Sequence, residues 1–126
     1  MIREIVLDTE TTGLNPLDGD RLVEIGCVEL INHIPSGRTY HVYINPERSM
    51  PEEAFRVHGL SDEFLSDKPV FKAVADEFLA FVEEATLVIH NASFDIGFLN
   101  AELERAGFSA LRNDVIDTVM LARKKH

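Results

Sequence analysis

The chain has 126 residues, 45% of them hydrophobic, which is ordinary for one globular domain with a buried core. Twelve basic against 22 acidic residues give a net charge of −10, which argues against a broad basic surface that grips nucleic acid unaided. No apolar run approaches the roughly 18 residues of a membrane-spanning helix, and "MIREIV" is unlike a signal peptide. The lone cysteine, Cys27, lies in an apolar run and is predicted to be a buried structural thiol. We expect a cytoplasmic protein without membrane contact.

Three strands are predicted in the first part of the chain. Residues 2–8 are short, rich in branched side chains and followed by turn-forming residues, as in a buried strand. A second strand is predicted over residues 21–31, a turn over "NHIPSG" at 32–37, and an antiparallel third strand over 38–45. Together these three strands form a meander.

Helices alternate with short strands in the rest of the chain. The first helix is short, with Ser49 as its N-cap and Gly59 at its end, and Asp62 follows in a turn. Ser93 is predicted to cap a later helix. The remaining predicted elements are an amphipathic helix over 69–85, a strand over 86–90, the helix over 93–107, a brief strand near 115–116 and a helix from 117.

This order of elements predicts an α/β fold, a mixed sheet with helices packed on it. The first strand should be central in that sheet. Its carboxyl end should lie near the carboxyl end of strand 86–90, because functional groups in such sheets gather where strands give way to loops. Polar residues follow both strands.

Two carboxylates interrupt the first strand in "IVLDTETTGL", residues 5–14. Alternate strand residues share a face, so Asp8 and Glu10 project together while Thr9 points the other way. Two close negative charges repel unless a cation or proton neutralises them, which favours a divalent metal. The alternative is a solvated strand end whose acids only blunt a sheet edge. A lone D-x-E pattern does not decide between them.

A third carboxylate, Asp95, lies in "HNASFDIGF" near the start of the predicted helix. An acid in the first turn also gains from the helix dipole, so a purely structural role is the alternative. An aspartate among apolar residues, beside a strand that carries Asp8 and Glu10, has the composition of a hard-cation site built from oxygens.

The motifs "LDTETTGL", "VHGL" and "HNASFDIGFL" occur in the order and approximate spacing of the DnaQ-like, DEDD-type 3′→5′ exonucleases, and the sequence resembles that family over nearly its whole length. The most similar subgroup is the proofreading subunits of bacterial replicative polymerases. The resemblance implies a ribonuclease H-like fold and a single exonuclease domain over residues 1–126. It also implies two Mg²⁺ or Mn²⁺ ions held by the catalytic residues Asp8, Glu10 and Asp95.

The same resemblance implies a substrate and a partner. The substrate is the single-stranded or frayed 3′ end of DNA, and the partner is the catalytic subunit of a replicative polymerase. The residues implied to bind substrate are Thr11, Thr12, Gly13, Leu14, Val57, His58, Asn91 and Phe94. Five of them also have a structural explanation: Thr12 and Gly13 as turn formers, Leu14 and Phe94 as core residues, and His58 as the end of a helix.

The sequence departs from the family pattern in one respect. The pattern includes a fourth carboxylate, preceded by a histidine, on a later helix that these 126 residues do not contain. The family also has a tail that contacts the polymerase, and these residues do not contain it either. We therefore expect the fold to lack its C-terminal helix and the 126-residue chain to be inactive or weak. Two alternatives are an exoribonuclease of the same family, distinguished by its use of the 2′-OH, and a non-catalytic polymerase-binding module.

Overall fold

A computed structural model describes residues 1–120 of the chain. These residues form five strands and four α-helices, with a short 3-10 turn at Pro16–Asp18. The strands are β1 (Arg3–Thr11), β2 (Leu22–Ile31), β3 (Ile34–Tyr43), β4 (Thr86–Ile89) and β5 (Val115–Asp117). The helices are α1 (Glu52–His58), α2 (Asp62–Leu65), α3 (Phe71–Val82) and α4 (Ala92–Arg105).

The five strands form one mixed sheet in the order β3-β2-β1-β4-β5. The pairs β1–β2 and β2–β3 are antiparallel, and the pairs β1–β4 and β4–β5 are parallel. The predicted α/β class, the meander and the central position of the first strand are confirmed. Because β4 runs parallel to β1, with Val88 beside Val6, the carboxyl ends of both strands lie at the same edge.

The core lies between the sheet and helices α3 and α4. Alternate residues of β1, such as Ile5 and Leu7, are buried beneath the apolar stripes of the two helices. Aromatic side chains fill much of this space, and the fully buried ones are Phe71, Phe78 and Phe98. Cys27 lies in the same core, and burial raises the pKa of its thiol to about 12. Its predicted structural role is thus consistent with its position.

The hairpin between β2 and β3 is tighter than predicted. Asn32 and His33 have φ values of 50° and 70°, the left-handed pair that closes a two-residue hairpin. The third strand therefore begins at Ile34, and the prediction of a six-residue turn was wrong. The Pro35 and Gly37 that suggested the turn lie in β3, at the edge of the sheet, where such residues are tolerated.

Both predicted serine caps were wrong. Helix α1 begins after Pro51 rather than Ser49, and α4 begins after Asn91 rather than Ser93; neither N-cap residue makes a side-chain capping bond. The turn expected around Asp62 is the short helix α2, which Ser61 caps by accepting from Phe64 N–H. At α4 a tertiary contact replaces the serine cap, because Asp117 accepts hydrogen bonds from Asn91 N–H and Ala92 N–H.

Strand β1 continues past the predicted residue 8 to Thr11 because it stays paired with β2. Asp8 lies opposite Gly26 and Glu10 opposite Glu24, so both acids belong to the strand rather than to a loop after it. At the other end of the chain, residues 118–120 are helical directly after β5, and the remainder of the helix predicted from 117 lies outside the described residues. Between residues 1 and 120, no helix is long and apolar enough to cross a membrane.

Candidate active site

The final residues of β1 present different chemistry on their two faces. Thr9 and Thr11 point towards the helices and are buried, with exposed fractions of 7% and 9%. Asp8, on the opposite face, is exposed, and Glu10 is half-buried. The predicted alternation of this strand is therefore observed, and it places two carboxylates on the side away from the core.

Asp95 approaches β1 from the first turn of α4. It is only 5% exposed, and its carboxylate accepts a hydrogen bond from the Thr9 hydroxyl. Burial raises the pKa of Asp95 to about 6, and the negative charges of Asp8 and Glu10 add to that rise, while the bond from Thr9 opposes it. The three acids are thus near enough for their charges to interact.

Glu10 experiences the same mutual repulsion. Burial raises its pKa, the charges of Asp8 and Glu24 raise it further, and His58 lowers it. Within residues 1–120, however, no three His, Cys, Asp or Glu side chains are close enough together to hold a metal ion. The structure therefore shows three interacting carboxylates with oxygen donors suited to hard cations, but not a closed set of ligands.

The first turn of α4 is held by an acid from the neighbouring strand β5. Asp117 accepts hydrogen bonds from Asn91 N–H at 3.1 Å, Ala92 N–H at 3.0 Å and Val119 N–H at 2.9 Å. Desolvation would raise the pKa of Asp117, but the backbone N–H groups outweigh it, so the net pKa is lowered. Asp117 therefore satisfies the N–H groups that open the helix carrying Asp95.

A cavity of about 210 Å³ lies beside Glu10, between the end of β1, helix α1 and helix α4. Most of the predicted site residues meet there. Its lining residues are Thr9, Glu10, Thr11, Gly13, Leu14, Ala54, Val57, His58 and Phe94. The walls are largely apolar apart from Glu10 and the two threonines, and the cavity opens beside an acid, which suits a flat apolar ring attached to a charged group.

His58 has its ring fixed by two backbone hydrogen bonds. Leu60 N–H donates to Nδ1 at 3.1 Å, so Nε2 carries the proton and donates to the Thr11 carbonyl at 3.0 Å. These bonds join the end of α1 to the end of β1. Because both ring nitrogens are engaged, His58 contributes a wall to the cavity rather than a free polar group.

A second cavity, of about 380 Å³, adjoins the first. Leu14 and Phe94 line both cavities, and Asn91 lines only the second. Leu14 is 84% exposed and Val57 is 81% exposed. Such high exposure is unusual for two aliphatic side chains that line the same cavity. Leu14, one of the residues implied to bind substrate, thus lies on the boundary between two cavities.

Thr12 is the predicted binding residue that the structure places in the interior. It is 1% exposed and lines neither cavity; its hydroxyl donates to Asp20 at 3.0 Å and accepts from Arg21 N–H at 3.0 Å. Sequence reasoning also missed three residues around the site, Thr9, Asp20 and Asp117. Only Asp117 had a usable signal, since it is an acid that directly follows the brief strand predicted near 115–116.

Comparison with known proteins places these features in a family. The sequence matches the exonuclease (RNase T) family over residues 5–126. It is 55% identical over 126 residues to the DNA polymerase III subunit epsilon of Rickettsia felis, and 48% identical over 135 residues to that of Escherichia coli K12. These alignments include 97% of this chain but only 55% and 54% of the two relatives, so the chain spans about half their length.

Solved structures give the same fold. Exonuclease I of E. coli in complex with single-stranded DNA superposes with a TM-score of 0.87 at 16% identity, over 98% of this chain and 29% of that one. Exonuclease X in complex with 5′-overhanging duplex DNA gives a TM-score of 0.76 at 26% identity, over 97% of this chain and 63% of that one. The family match over residues 5–126, in accord with this fold, shows that the chain belongs to the exonuclease (RNase T) family.

Proposed function

We propose that this domain hydrolyses the terminal phosphodiester at the 3′ end of DNA and serves as the proofreading nuclease of a replicative polymerase. One observation carries the proposal: Glu10, whose charge interacts with those of Asp8 and Asp95, lines a largely apolar cavity. A carboxylate suited to phosphodiester hydrolysis therefore lies beside a cavity that can accept a nucleotide base. The identity to DNA polymerase III epsilon subunits supports the proofreading assignment.

Asp8, Glu10 and Asp95 would hold the divalent ions, Mg²⁺ or Mn²⁺. Their chemistry fits, because hard cations prefer carboxylate oxygens. The pKa values of Glu10 and Asp95 are raised mainly by burial and further by repulsion between the acids, and a bound cation would relieve that repulsion. When bound, two such ions supply Lewis-acid stabilisation of the charge that develops on the phosphate and on the departing 3′ oxygen. A chain with a net charge of −10 also needs cations to approach a phosphate backbone.

The other residues would bind and orient the terminal nucleotide. The base would lie against the apolar walls formed by Val57 and Phe94, with His58 closing one side. Thr11 donates its hydroxyl to the Gly13 carbonyl at 2.6 Å, which stabilises the turn next to the cavity. Leu14 would stand between the last base and the one before it, and Asn91 would face the latter from the second cavity.

The same relatives support a proposal for the biological setting. We propose that residues 1–126 are a single nuclease domain that acts in the cytoplasm with the catalytic subunit of a polymerase. The family pattern includes a fourth carboxylate and a histidine that residues 1–126 do not supply, and general-base assistance is typically worth about 10²- to 10⁴-fold in rate. The 126-residue chain by itself is therefore expected to cleave slowly.

Metal binding tests the proposal independently of turnover. Calorimetric titration with Mn²⁺ should show binding to the wild-type chain and its loss in Asp8→Asn and Asp95→Asn. The matched control is Asp76→Asn, which removes an exposed acid on α3. Absence of Mn²⁺ binding to the wild type would overturn the metal assignment and favour a non-catalytic binding module.

Cleavage assays then identify the substrate. Single-stranded DNA, 3′-mismatched duplex DNA and RNA of the same sequence, each labelled at the 5′ end, should be compared in Mg²⁺ with a high concentration of the chain. We expect products shortened one nucleotide at a time from the 3′ end of DNA. Faster degradation of the RNA would contradict the proofreading function and favour an exoribonuclease of the same family.

A further inference from the structure

The loop that follows β1, residues 12–15, is organised around the carboxylate of Asp20. One carboxylate oxygen accepts from the Thr12 hydroxyl at 3.0 Å, and the other accepts from Asn15 N–H at 3.2 Å. Both ends of the loop are therefore joined by one side chain. The Asp20 side chain is only 17% exposed, which makes loss of these partners costly.

Arg48 fixes Asp20 from the outside of the loop. Its guanidinium donates from one nitrogen to the Asp20 carboxylate at 3.0 Å and to the Gly19 carbonyl at 3.1 Å. Thr12 is also bonded to the start of β2, through Arg21 N–H. The loop is thus connected on one side to the sheet and on the other to the segment before α1.

Glycine is needed at position 13 because the Asp20 carboxylate occupies the space of a Cβ, and not because the backbone is left-handed. A Cβ at position 13 would lie 2.4 Å from one Asp20 carboxylate oxygen and 2.6 Å from the other, closer than real Cβ contacts come. Its φ is not in the left-handed region, so conformational freedom does not explain it. The glycine leaves room for the carboxylate to pack directly against the loop.

The hydrogen bonds between Asp20 and the 12–15 loop determine the position of Leu14. Leu14 follows Gly13, is 84% exposed and lines both cavities, so its own packing cannot hold it in place. The bonds from Asp20 to residues on each side of it restrain the backbone instead. We propose that Asp20 is a positioning residue that holds the 12–15 loop so that Leu14 separates the two cavities and thereby determines affinity for the 3′-terminal nucleotides.

The proposal rests on the function proposed above, and a double-mutant cycle tests it. Asp20→Ala removes the carboxylate and Gly13→Ala displaces it, so each variant should bind a dT oligonucleotide roughly tenfold more weakly, since small misplacements of positioning groups have large effects. Binding should be measured by fluorescence anisotropy in Ca²⁺, with a 3′-terminal phosphorothioate. In the double variant the Gly13→Ala change should have little further effect, because the carboxylate that it displaces is gone.

Further measurements distinguish a positioning role of Asp20 from a general loss of structure. Mn²⁺ titration should be unchanged in Asp20→Ala, and KM should rise more than kcat falls. The control is Asp67→Ala, which removes an exposed aspartate whose ion pair, with Lys68 at 3.3 Å, lies outside the 12–15 loop. It should bind the oligonucleotide like the wild type. Asp20→Asn, which keeps the shape and an acceptor oxygen, should lie between wild type and Asp20→Ala.

Hydrogen exchange provides a test that needs no substrate. The amide of Asn15 should be protected in the wild type and exchange at least tenfold faster in Asp20→Ala, because its acceptor is removed. Unchanged exchange of this amide would overturn the positioning role, as would additive effects in the cycle. If the wild type binds no oligonucleotide but the Asn15 amide responds as expected, the proposed function fails while the restraint of the loop by Asp20 stands.

Discussion

Thr9 and Asp95, which are 86 positions apart in the sequence, are hydrogen-bonded to one another in the interior beneath the site. The threonine points away from Asp8 and Glu10, yet it contacts the third acid directly. Its hydroxyl gives the buried Asp95 carboxylate a donor, which partly offsets the effect of burial on the pKa.

The metal-free protein should become less stable as pH rises through the titration of Asp95. The folded-state pKa is raised to about 6 from an ordinary value near 3.8, so the folded state binds more protons than the unfolded state between these values. Stability is then fully present below about pH 4 and is lost as pH rises through about 6. Urea unfolding in EDTA should show Asp95→Asn more stable than wild type at pH 7.5 by about 1 to 2 kcal/mol.

The comparison at pH 4 is the control for that experiment. There the wild-type carboxyl is largely protonated, and the difference between the two proteins should shrink towards zero. A difference that stays constant from pH 4 to pH 7.5 would mean that titration of Asp95 is not its cause. Addition of Mn²⁺ at pH 7.5 should favour the wild type over the variant.

Glu102 should be essential for the stability of the fold. Its carboxylate is 2% exposed and accepts from Arg21 Nε and Nη2, from Leu22 N–H and from Arg105. Removal of one partner of a buried ion pair leaves the other charge uncompensated, so Glu102→Ala should lose about 3 to 5 kcal/mol. Denaturant unfolding measures this loss, and Glu102→Gln, which keeps the volume, provides a second value if the alanine variant does not fold.

An exposed ion pair provides the comparison with the buried Glu102 pair. Glu52 and Arg56 are also bonded, at 2.7 Å, but both side chains are more than 70% exposed. Glu52→Ala should change stability by less than about 0.5 kcal/mol. Equal losses for Glu52→Ala and Glu102→Ala would contradict the view that burial makes the difference.

Asp117 should influence the metal site without being a proposed ligand. Asp117→Ala leaves the first N–H groups of α4 without their acceptor, so the helix end that carries Asp95 should loosen. Mn²⁺ affinity should fall roughly tenfold, as for other groups that orient metal ligands. Calorimetry measures the affinity, and hydrogen exchange at Asn91 and Ala92 reports the helix end.

Asp114→Ala is the matched control for Asp117. Asp114 is exposed and lies just before β5, and its described hydrogen bond is through its backbone carbonyl, to Leu87 N–H. Asp114→Ala should therefore leave Mn²⁺ affinity and amide exchange near wild-type values. Faster exchange at Ala92 in both variants would point to a general weakening of β5 instead of the lost acceptor.

The Cys27 thiol should be inert in the folded protein. It is 3% exposed and its pKa is raised to about 12 by burial, so almost no thiolate is present at pH 8. Alkylation by iodoacetamide, followed by mass spectrometry, should proceed only at the rate of unfolding. Rapid labelling in urea confirms that the reagent is competent, and rapid labelling in buffer would show that the core around Cys27 opens readily.

The sequence predicted the sheet well because its strands carry strong local signals. Short apolar runs rich in branched side chains identified β1 and β2, and the helical spacing of Val74, Phe78 and Phe81 identified α3. The helix starts could not be predicted in this way, since α4 takes its cap from Asp117, 25 residues after Ala92. The length of β1 was also underestimated, because its last residues are strand only through their pairing with β2.

The same distinction applies to the site. Motif resemblance identified the acids and most residues of the first cavity, whose positions are fixed by short stretches of sequence. It assigned Thr12 and Gly13 to the nucleotide; Gly13 lines the first cavity, and both residues lie against Asp20, a contact that the resemblance did not indicate. Asp20 lies in a loop rich in turn formers, where an acid is common, so only the three-dimensional contacts distinguish it from a surface residue.

Helix α4 presents two acids on the stripe that faces the core. Asp95 and Glu102 are seven residues apart, two turns of helix, and both are almost fully buried beside Phe98 and Leu99. Glu102 is neutralised by Arg21, whereas Asp95 is repelled by its neighbours. Selection for stability alone would therefore favour Glu102 and disfavour Asp95, so we expect the acid at position 95 to serve activity. A library randomised at both positions and sorted first for folding, then for nuclease activity, would separate these two pressures on one helix.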